Sequence, residues 1–81
     1  MTTFVRYCLR WKKSDCAYGD LARDMLIDVN IRRTWCYKTF KKYLEDRGAS
    51  GRCLDIVDEM YEAYGMLQQA LYRLKADTSP A

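Results

Sequence analysis

The chain of 81 residues has no histidine, a single proline and four isolated glycines. The lack of histidine and the scattered glycines argue against several common kinds of catalytic site. Histidine is the side chain most often used as a general base near neutral pH, so the commonest acid–base catalyst is missing. The glycines lie at positions 19, 48, 51 and 65 and form no phosphate-binding loop. No cysteine has a recognisable base beside it in the sequence. These absences predict a protein that is not an enzyme.

Metal sites and membrane spans are disfavoured by two further absences. The cysteines form no C-x-x-C pair, so the usual zinc spacings are missing, and we expect neither a metal nor a cofactor. No apolar run approaches the ~20 residues of a membrane span, and Arg6 and Arg10 interrupt the region where a signal peptide would be apolar. We therefore expect a cytoplasmic protein with reduced thiols, packed as small buried or half-buried side chains rather than joined as disulfides. The thiols belong to Cys8, Cys16, Cys36 and Cys53.

Apolar residues recur at helical spacing in four segments, and no segment alternates as a strand would. The predicted helices span about residues 4–13, 20–29, 35–46 and 51–75, and the second could begin near residue 15. Thr3, Thr34 and Ser50 are predicted N-caps, and Asn30 and Gly48 are predicted left-handed stops. The sequence thus predicts an all-α fold, a compact four-helix bundle with a long C-terminal helix. Residues 1–76 would form one domain, followed by a disordered tail over residues 77–81.

The fourth segment carries an apolar seam that is longer than any of the other three predicted helices. Its residues are separated alternately by four and three positions, as in a helix–helix interface. They are Cys53, Val57, Met60, Tyr64, Leu67, Leu71 and Leu74. Helices one to three are too short to cover such a length, so the last part of the seam either folds back on helix one or meets another chain. Leu67, Leu71 and Leu74 are therefore candidate homodimer residues. Gly65, inside the helix, predicts close packing or a kink.

Charge is divided unevenly between the two parts of the chain. Residues 1–53 hold twelve Lys and Arg against six Asp and Glu, a net of +6, and residues 54–81 hold two against five, a net of −3. Asp20, Asp24 and Asp28 recur every fourth residue and so share one helix face. We interpret them as partners of Arg23 and other cations, the alternatives being an acidic contact surface or a divalent cation site.

A basic and aromatic segment at residues 32–42 is the main candidate site. Lys38, Lys41 and Lys42 fall on one helix face, and Arg32 and Arg33 precede that helix. Such cations neutralise phosphates or meet an acidic protein surface, while rings such as Trp35 stack on bases or anchor interfaces. The alternative is a solvated helix face whose tryptophan belongs to the core. The candidate binding residues are Arg32, Arg33, Trp35, Lys38, Lys41 and Lys42.

Several short motifs together resemble a known family. They are Phe4-x-x-Tyr7-x-Leu9, Gly19-Asp20-Leu21-Ala22-x-Asp24, Asp28 and Tyr43-Leu44. Over residues 4–64 their order and spacing are similar to the YozE family, small bacterial proteins with a helical fold like the sterile alpha motif. The resemblance implies that fold and no established activity. The chain departs from the family at Ile31-Arg32, where a proline after an aromatic residue is usual.

The sequence therefore predicts a non-enzymatic small helical interaction domain that binds a macromolecular partner. A protein partner is the first hypothesis, with the chain as an adaptor or an inhibitor. One form of this hypothesis is an inhibitor encoded by a mobile element, such as an anti-CRISPR protein, because the chain is small, charged and without catalytic motifs. The alternative is a DNA- or RNA-binding protein that uses the basic face of residues 32–42.

Overall fold

The described residues fold into four α-helices and one 3₁₀ helix. A computed structural model describes the backbone of residues 2–77 and the side chains of residues 2–74. The helices are α1 (Phe4–Leu9), α2 (Ala17–Ile27), α3 (Tyr37–Asp46) and α4 (Gly51–Asp77), and the 3₁₀ helix (Arg10–Lys13) directly continues α1. The described part of the chain contains no strand. The predicted all-α bundle with a long C-terminal helix is confirmed.

Helix α1 occupies the centre of the bundle because it contacts each of the other three α-helices. It is only six residues long, yet four of them are buried. Phe4 meets the rings of Tyr37 and Tyr64 edge-on, at centroid distances of 5.6 Å each. The core residues are Phe4, Val5, Tyr7, Cys8, Leu21, Met25, Phe40, Val57 and Met60. Large aromatic rings let so small a chain bury enough apolar surface to fold.

Three of the five predicted helix signals are confirmed. The Thr3 hydroxyl accepts a hydrogen bond from the backbone N–H of Arg6, and the Ser50 hydroxyl accepts one from the N–H of Cys53 at 3.2 Å. Gly48 follows α3 with a φ of 77°, a left-handed conformation that a residue with a Cβ rarely adopts.

The signals predicted at Thr34 and Asn30 are wrong. Helix α3 begins at Tyr37 with Cys36 as its N-cap, because the N–H of Trp35 bonds the carbonyl of Arg32 in a turn ahead of the helix. Asn30 has no positive φ. Helix α2 instead ends at Ile27, and its C-cap residue turns into extended backbone.

Gly19 lies buried inside α2, which begins three residues earlier than residue 20, the main predicted start. Helix α2 begins at Ala17, and a Cβ built on Gly19 would lie 1.8 Å from the carbonyl oxygen of Ser14. The glycine therefore lets α2 approach the end of the 3₁₀ helix. Arg23 strengthens this contact because its Nη1 donates to the carbonyls of Lys12 and Ser14 at 3.0 and 3.1 Å.

Helix α4 extends beyond the rest of the bundle. Val57 and Met60 are fully buried, Tyr64 and Leu67 pack against the core, and Leu71 is 50% exposed. The alternative in which the seam folds back on α1 is therefore wrong. With 27 residues, α4 is about 40 Å long. The described chain measures 50 × 26 × 22 Å.

Two other predictions for this end of the chain need correction. A Cβ on Gly65 would meet no atom within 4 Å, so this glycine does not serve close packing. The predicted tail begins one residue too early, because Asp77 is the last residue of α4. Residues 78–81 lie outside the described part of the chain. No helix in the described part is long and apolar enough to cross a membrane.

Candidate interaction surfaces

The six candidate binding residues of the predicted basic segment differ in exposure and in the contacts that they make. Arg32 and Arg33 lie in the connection between α2 and α3 and are exposed. Thr3 holds this connection against the start of α1, because its hydroxyl donates to the carbonyl of Arg33. Arg33 lines a cleft beside α1, away from the lysines of α3 that the sequence grouped with it.

Lys41 is engaged in an ion pair inside the molecule. Its Nζ lies 2.9 and 3.1 Å from the two carboxylate oxygens of Asp58 on α4, and 3.3 Å from the Tyr37 hydroxyl. These hydrogen bonds, the one to Asp58 first, raise the pKa of Lys41. The hydroxyl of Tyr37 also donates to Asp58, and this bond, with that from Lys41, lowers the pKa of the carboxyl. Lys41 therefore ties α3 to α4 and is not a free cation.

Trp35 is half-buried at the edge of the core. Its ring lies against Tyr43 at a centroid distance of 5.1 Å, tilted by 54°. The Tyr43 hydroxyl in turn donates to the carboxylate of Asp28 at 2.6 Å. That bond is the main cause of a lowered pKa at Asp28, followed by the backbone N–H of Asn30. Trp35 thus fits the alternative in which the tryptophan packs as part of the fold.

Lys38 and Lys42 stay exposed on α3. Lys38 also borders a small aromatic cavity of about 290 Å³ between α1, α3 and α4. The rings of Tyr37 and Tyr61 stack there at a centroid distance of 3.9 Å and an angle of 10°. Of the six predicted binding residues, four therefore remain available at the surface, and these are Arg32, Arg33, Lys38 and Lys42.

Sequence reasoning missed a second basic surface, which we call the basic cleft. It has a volume of about 400 Å³ and lies along α1 and the 3₁₀ helix. Its lining residues are Thr2, Arg6, Leu9, Arg10, Lys12, Leu26 and Arg33. The first five lie in one short segment of the sequence, but Arg33 joins them only through the fold. The cations of the predicted first helix were visible in the sequence, whereas the approach of Arg33 from the connection after α2 was not.

The end of α4, defined here as residues 66–74, carries four exposed apolar side chains among the described residues. Met66 is 68% exposed and Tyr72 is 76% exposed, beside Leu71 and Leu74 at 50% and 61%. Leu67 is the last residue that packs against the core. Met66 is therefore a surface residue, unlike Met25 and Met60, which are buried in the core.

The acidic residues and the cysteines suit structural roles. Asp20 forms an ion pair with Arg23, whereas Asp28 lies past the end of α2 and organises the following turn. Within the described residues, no group of three or more acidic or cysteine side chains is placed to hold a metal ion. Burial raises the pKa of the Cys8 thiol to about 12.

The other cysteines differ from the prediction in part. Cys53 is half-buried, but Cys16 and Cys36 are exposed, because each occupies the N-cap position of a helix instead of a core position. Hydrogen bonds from the Thr39 side chain, and then from its backbone N–H, lower the pKa of Cys36. All four thiols are free.

Comparison with known protein families, with curated proteins and with solved structures finds no match for this chain. Membership of the YozE family therefore stays a prediction from the motifs.

Proposed function

We propose that this chain is a small non-enzymatic helical domain that binds another protein, as an adaptor or an inhibitor, and that it inserts the end of α4 into a groove of its partner. The observation that carries the proposal is the continuation of the apolar seam past the core. Leu67 packs on the bundle, and the next seam residue, Leu71, is half exposed. A helix that keeps its apolar stripe beyond its own domain offers that stripe to another molecule.

The width of the stripe favours a groove over a single second helix. At about 100° per residue, Met66, Leu67 and Leu71 fall within an arc of about 140°. A helix-to-helix seam uses a narrower strip, whereas a groove encloses a helix through anchors spaced by three, four and seven residues. Leu67, Ala70, Leu71 and Leu74 have this spacing. A homodimer through Leu67, Leu71 and Leu74 is the alternative occupant of this surface.

Leu71→Asp tests the proposal, with Gln69→Asp as the matched control. Both positions are exposed, both changes add one negative charge, and only Leu71 lies on the apolar stripe. We expect a protein that copurifies in stoichiometric amount with the tagged wild-type chain to be lost with Leu71→Asp and kept with Gln69→Asp. Reconstitution with that purified protein, followed by calorimetry, should then show at least a tenfold loss of affinity, about 1.4 kcal/mol.

Equal binding by both variants would reject the end of α4 as the binding surface. Sedimentation of the wild-type chain tests whether the end of α4 forms a homodimer instead. A dimer that Leu71→Asp dissociates would identify the occupant as a second copy, whereas a monomer at high concentration would reject that alternative.

A second candidate is DNA or RNA binding, favoured by the exposed cations Arg32, Arg33, Lys38 and Lys42. Binding through Z phosphates of duplex DNA should weaken with salt at a log–log slope near −0.9Z. The Lys38→Gln plus Lys42→Gln double variant should lower that slope by about two, and Lys41→Gln should lower it less because Lys41 is paired with Asp58. If no DNA or RNA binds at low salt, this candidate is rejected.

A cytoplasmic inhibitor of a nucleoprotein machine, such as an anti-CRISPR protein, is one form of the first proposal. Its support is the small size of the chain and a sequence without catalytic motifs. The identity of the protein that copurifies with the tagged chain tests this form: a component of a nucleoprotein machine would support it, and any other protein would exclude it.

A further inference from the structure

The basic cleft gathers four cations from three parts of the chain. Arg6 comes from α1, Arg10 and Lys12 from the 3₁₀ helix, and Arg33 from the connection between α2 and α3. All four side chains are exposed, and no carboxylate lines the cleft. The ion pairs within the described residues involve other cations, namely Arg23, Lys41 and Arg47.

Such a grouping is unfavourable unless a negative charge compensates it. Arg6 and Arg10 are four residues apart along continuous helical turns, and like charges at this spacing repel each other. The fold adds Arg33 to this pair, because Thr3 holds the carbonyl of Arg33 against the start of α1. The 3₁₀ helix is also fixed, through the bonds from Arg23 to the carbonyls of Lys12 and Ser14. The segments that carry these charges are therefore held together through backbone carbonyls, and none of the four side chains is in an ion pair among the described residues.

The chemistry of the lining selects the kind of anion. Guanidinium groups bind phosphate through two parallel hydrogen bonds each, and the cleft has three of them beside one ammonium. Four positive charges around a space of about 400 Å³ are balanced more fully by linked phosphates than by single carboxylates. This volume lies in the range of small-ligand sites, about 300–1,000 Å³. Leu9 and Leu26 add an apolar wall, and Arg10 donates to the hydroxyl of Thr2 at 3.4 Å.

We propose that the basic cleft binds an oligophosphate group, of the kind carried by nucleoside di- and triphosphates. Arg6 and Arg33 grip the phosphates from opposite sides of the cleft lining, one from α1 and one from the connection after α2. Leu9 and Leu26 contact the apolar part of the ligand. The proposal does not depend on the protein partner proposed above, because the basic cleft and the end of α4 share no residue.

Calorimetry at about 50 mM salt tests this proposal, since charge screening is still weak there. The probes are tripolyphosphate, ATP, a short single-stranded oligonucleotide and a poly-glutamate peptide. We expect saturable one-to-one binding of tripolyphosphate and ATP. The double variant Arg6→Gln plus Arg33→Gln should weaken it by about tenfold or more, because each removed group donates charge-assisted hydrogen bonds.

The matched control is Lys13→Gln plus Arg52→Gln, which removes two positive charges from exposed positions that do not line the cleft and belong to neither candidate binding surface. It should change the affinity by less than about twofold, and circular dichroism checks that both double variants remain folded. Four outcomes would overturn the proposal: no binding of tripolyphosphate and ATP, an equal loss in both double variants, binding of the oligonucleotide alone, or binding of the acidic peptide alone. The third outcome would assign the cleft to a nucleic-acid backbone and the fourth to an acidic protein.

Discussion

At the scale of single residues, Gly19 determines how closely α2 approaches the preceding segment. The carbonyl of Ser14 occupies the space that a Cβ would need, and the obstacle is backbone, which cannot rotate away. The same carbonyl accepts a hydrogen bond from Arg23, so a shift of Ser14 would disturb a second contact. One hydrogen atom in place of a methyl group thus maintains the packing between the 3₁₀ helix and α2.

We expect Gly19→Ala to lower the free energy of unfolding by about 1–3 kcal/mol, because the backbone must move to admit the methyl group. The matched control is Gly65→Ala, also inside a helix, where a Cβ meets no atom within 4 Å. That change should raise the stability by about 0.5–1 kcal/mol through higher helix propensity. Urea unfolding of both variants measures the difference. A Gly19→Ala protein as stable as the wild type would contradict the close approach.

The carboxylate of Asp58 makes the free energy of unfolding depend on pH. Hydrogen bonds from Tyr37 and Lys41 lower its pKa in the folded state below the ordinary value of 3.8. As the pH falls, the unfolded state therefore takes up a proton at this position before the folded state does. The stabilisation by Asp58 is present above about pH 4 and is lost as the pH falls through the lowered pKa.

We expect Asp58→Asn to make the free energy of unfolding depend less steeply on pH between about pH 5 and 3. The control is Glu62→Gln on the same helix, an exposed carboxylate to which no ion pair is assigned among the described residues. Denaturant unfolding at a series of pH values measures both slopes. If Asp58→Asn and Glu62→Gln flatten the curve equally, the contact with Lys41 and Tyr37 does not set the pKa of Asp58.

At the scale of the helices, the caps decide where each element begins. Ser50 opens α4, the helix whose buried positions join three others, through the bond from the N–H of Cys53 to its hydroxyl. Thr34 has an equally good capping side chain but lies inside the turn that precedes α3. The N–H of Trp35 already bonds the carbonyl of Arg32 at 3.2 Å, so α3 starts two residues later than the sequence predicts.

We expect Ser50→Ala to lower the free energy of unfolding by about 1 kcal/mol, the usual effect of removing an N-cap. Thr34→Ala, an exposed position that caps no helix, should change it by less than about 0.5 kcal/mol. Thermal unfolding of the two variants measures the contrast. A larger loss at Thr34 than at Ser50 would show that α3 begins where the sequence predicts.

At the scale of the whole molecule, the two parts of α4 contribute differently to the core. The half of the helix before Leu67 contributes Val57 and Met60 to the core, and the end of α4 carries exposed apolar side chains. Folding therefore does not require Leu71 or Tyr72. A surface that is not needed for folding is free to be selected for contact with another molecule.

We expect a chain shortened after Ala70 to remain folded, with a melting temperature a few degrees below that of the full chain, because the removed residues include no core residue. Met60→Ala, by contrast, should cost about 2–5 kcal/mol, since Met60 is fully buried. Circular dichroism melts compare the two. If shortening unfolds the protein, the end of α4 packs against the body of the molecule or against a second copy. The shortened chain should also lose the partner protein.

Local sequence rules were sufficient for the helices themselves. Thr3, Gly48 and Ser50 act as predicted because capping depends on residues a few positions apart along the chain. The α4 seam was also readable, since apolar spacing of four and three is a property of one helix. The number of helices and the all-α class follow from the same periodicity.

Only the tertiary structure decided which charged and apolar side chains remain exposed at the surface. Lys41 belongs to the basic segment by sequence, yet Asp58, seventeen positions later, neutralises it. Arg33 joins Arg6 in the basic cleft because a connection folds back onto α1. Leu71 stays exposed because the core, as far as the described residues show, extends along α4 only to Leu67. The sequence determines which elements form, because hydrogen bonds within a helix are local. Which side chains these elements leave at the surface depends on contacts between distant segments, so that selection appears only in the folded chain.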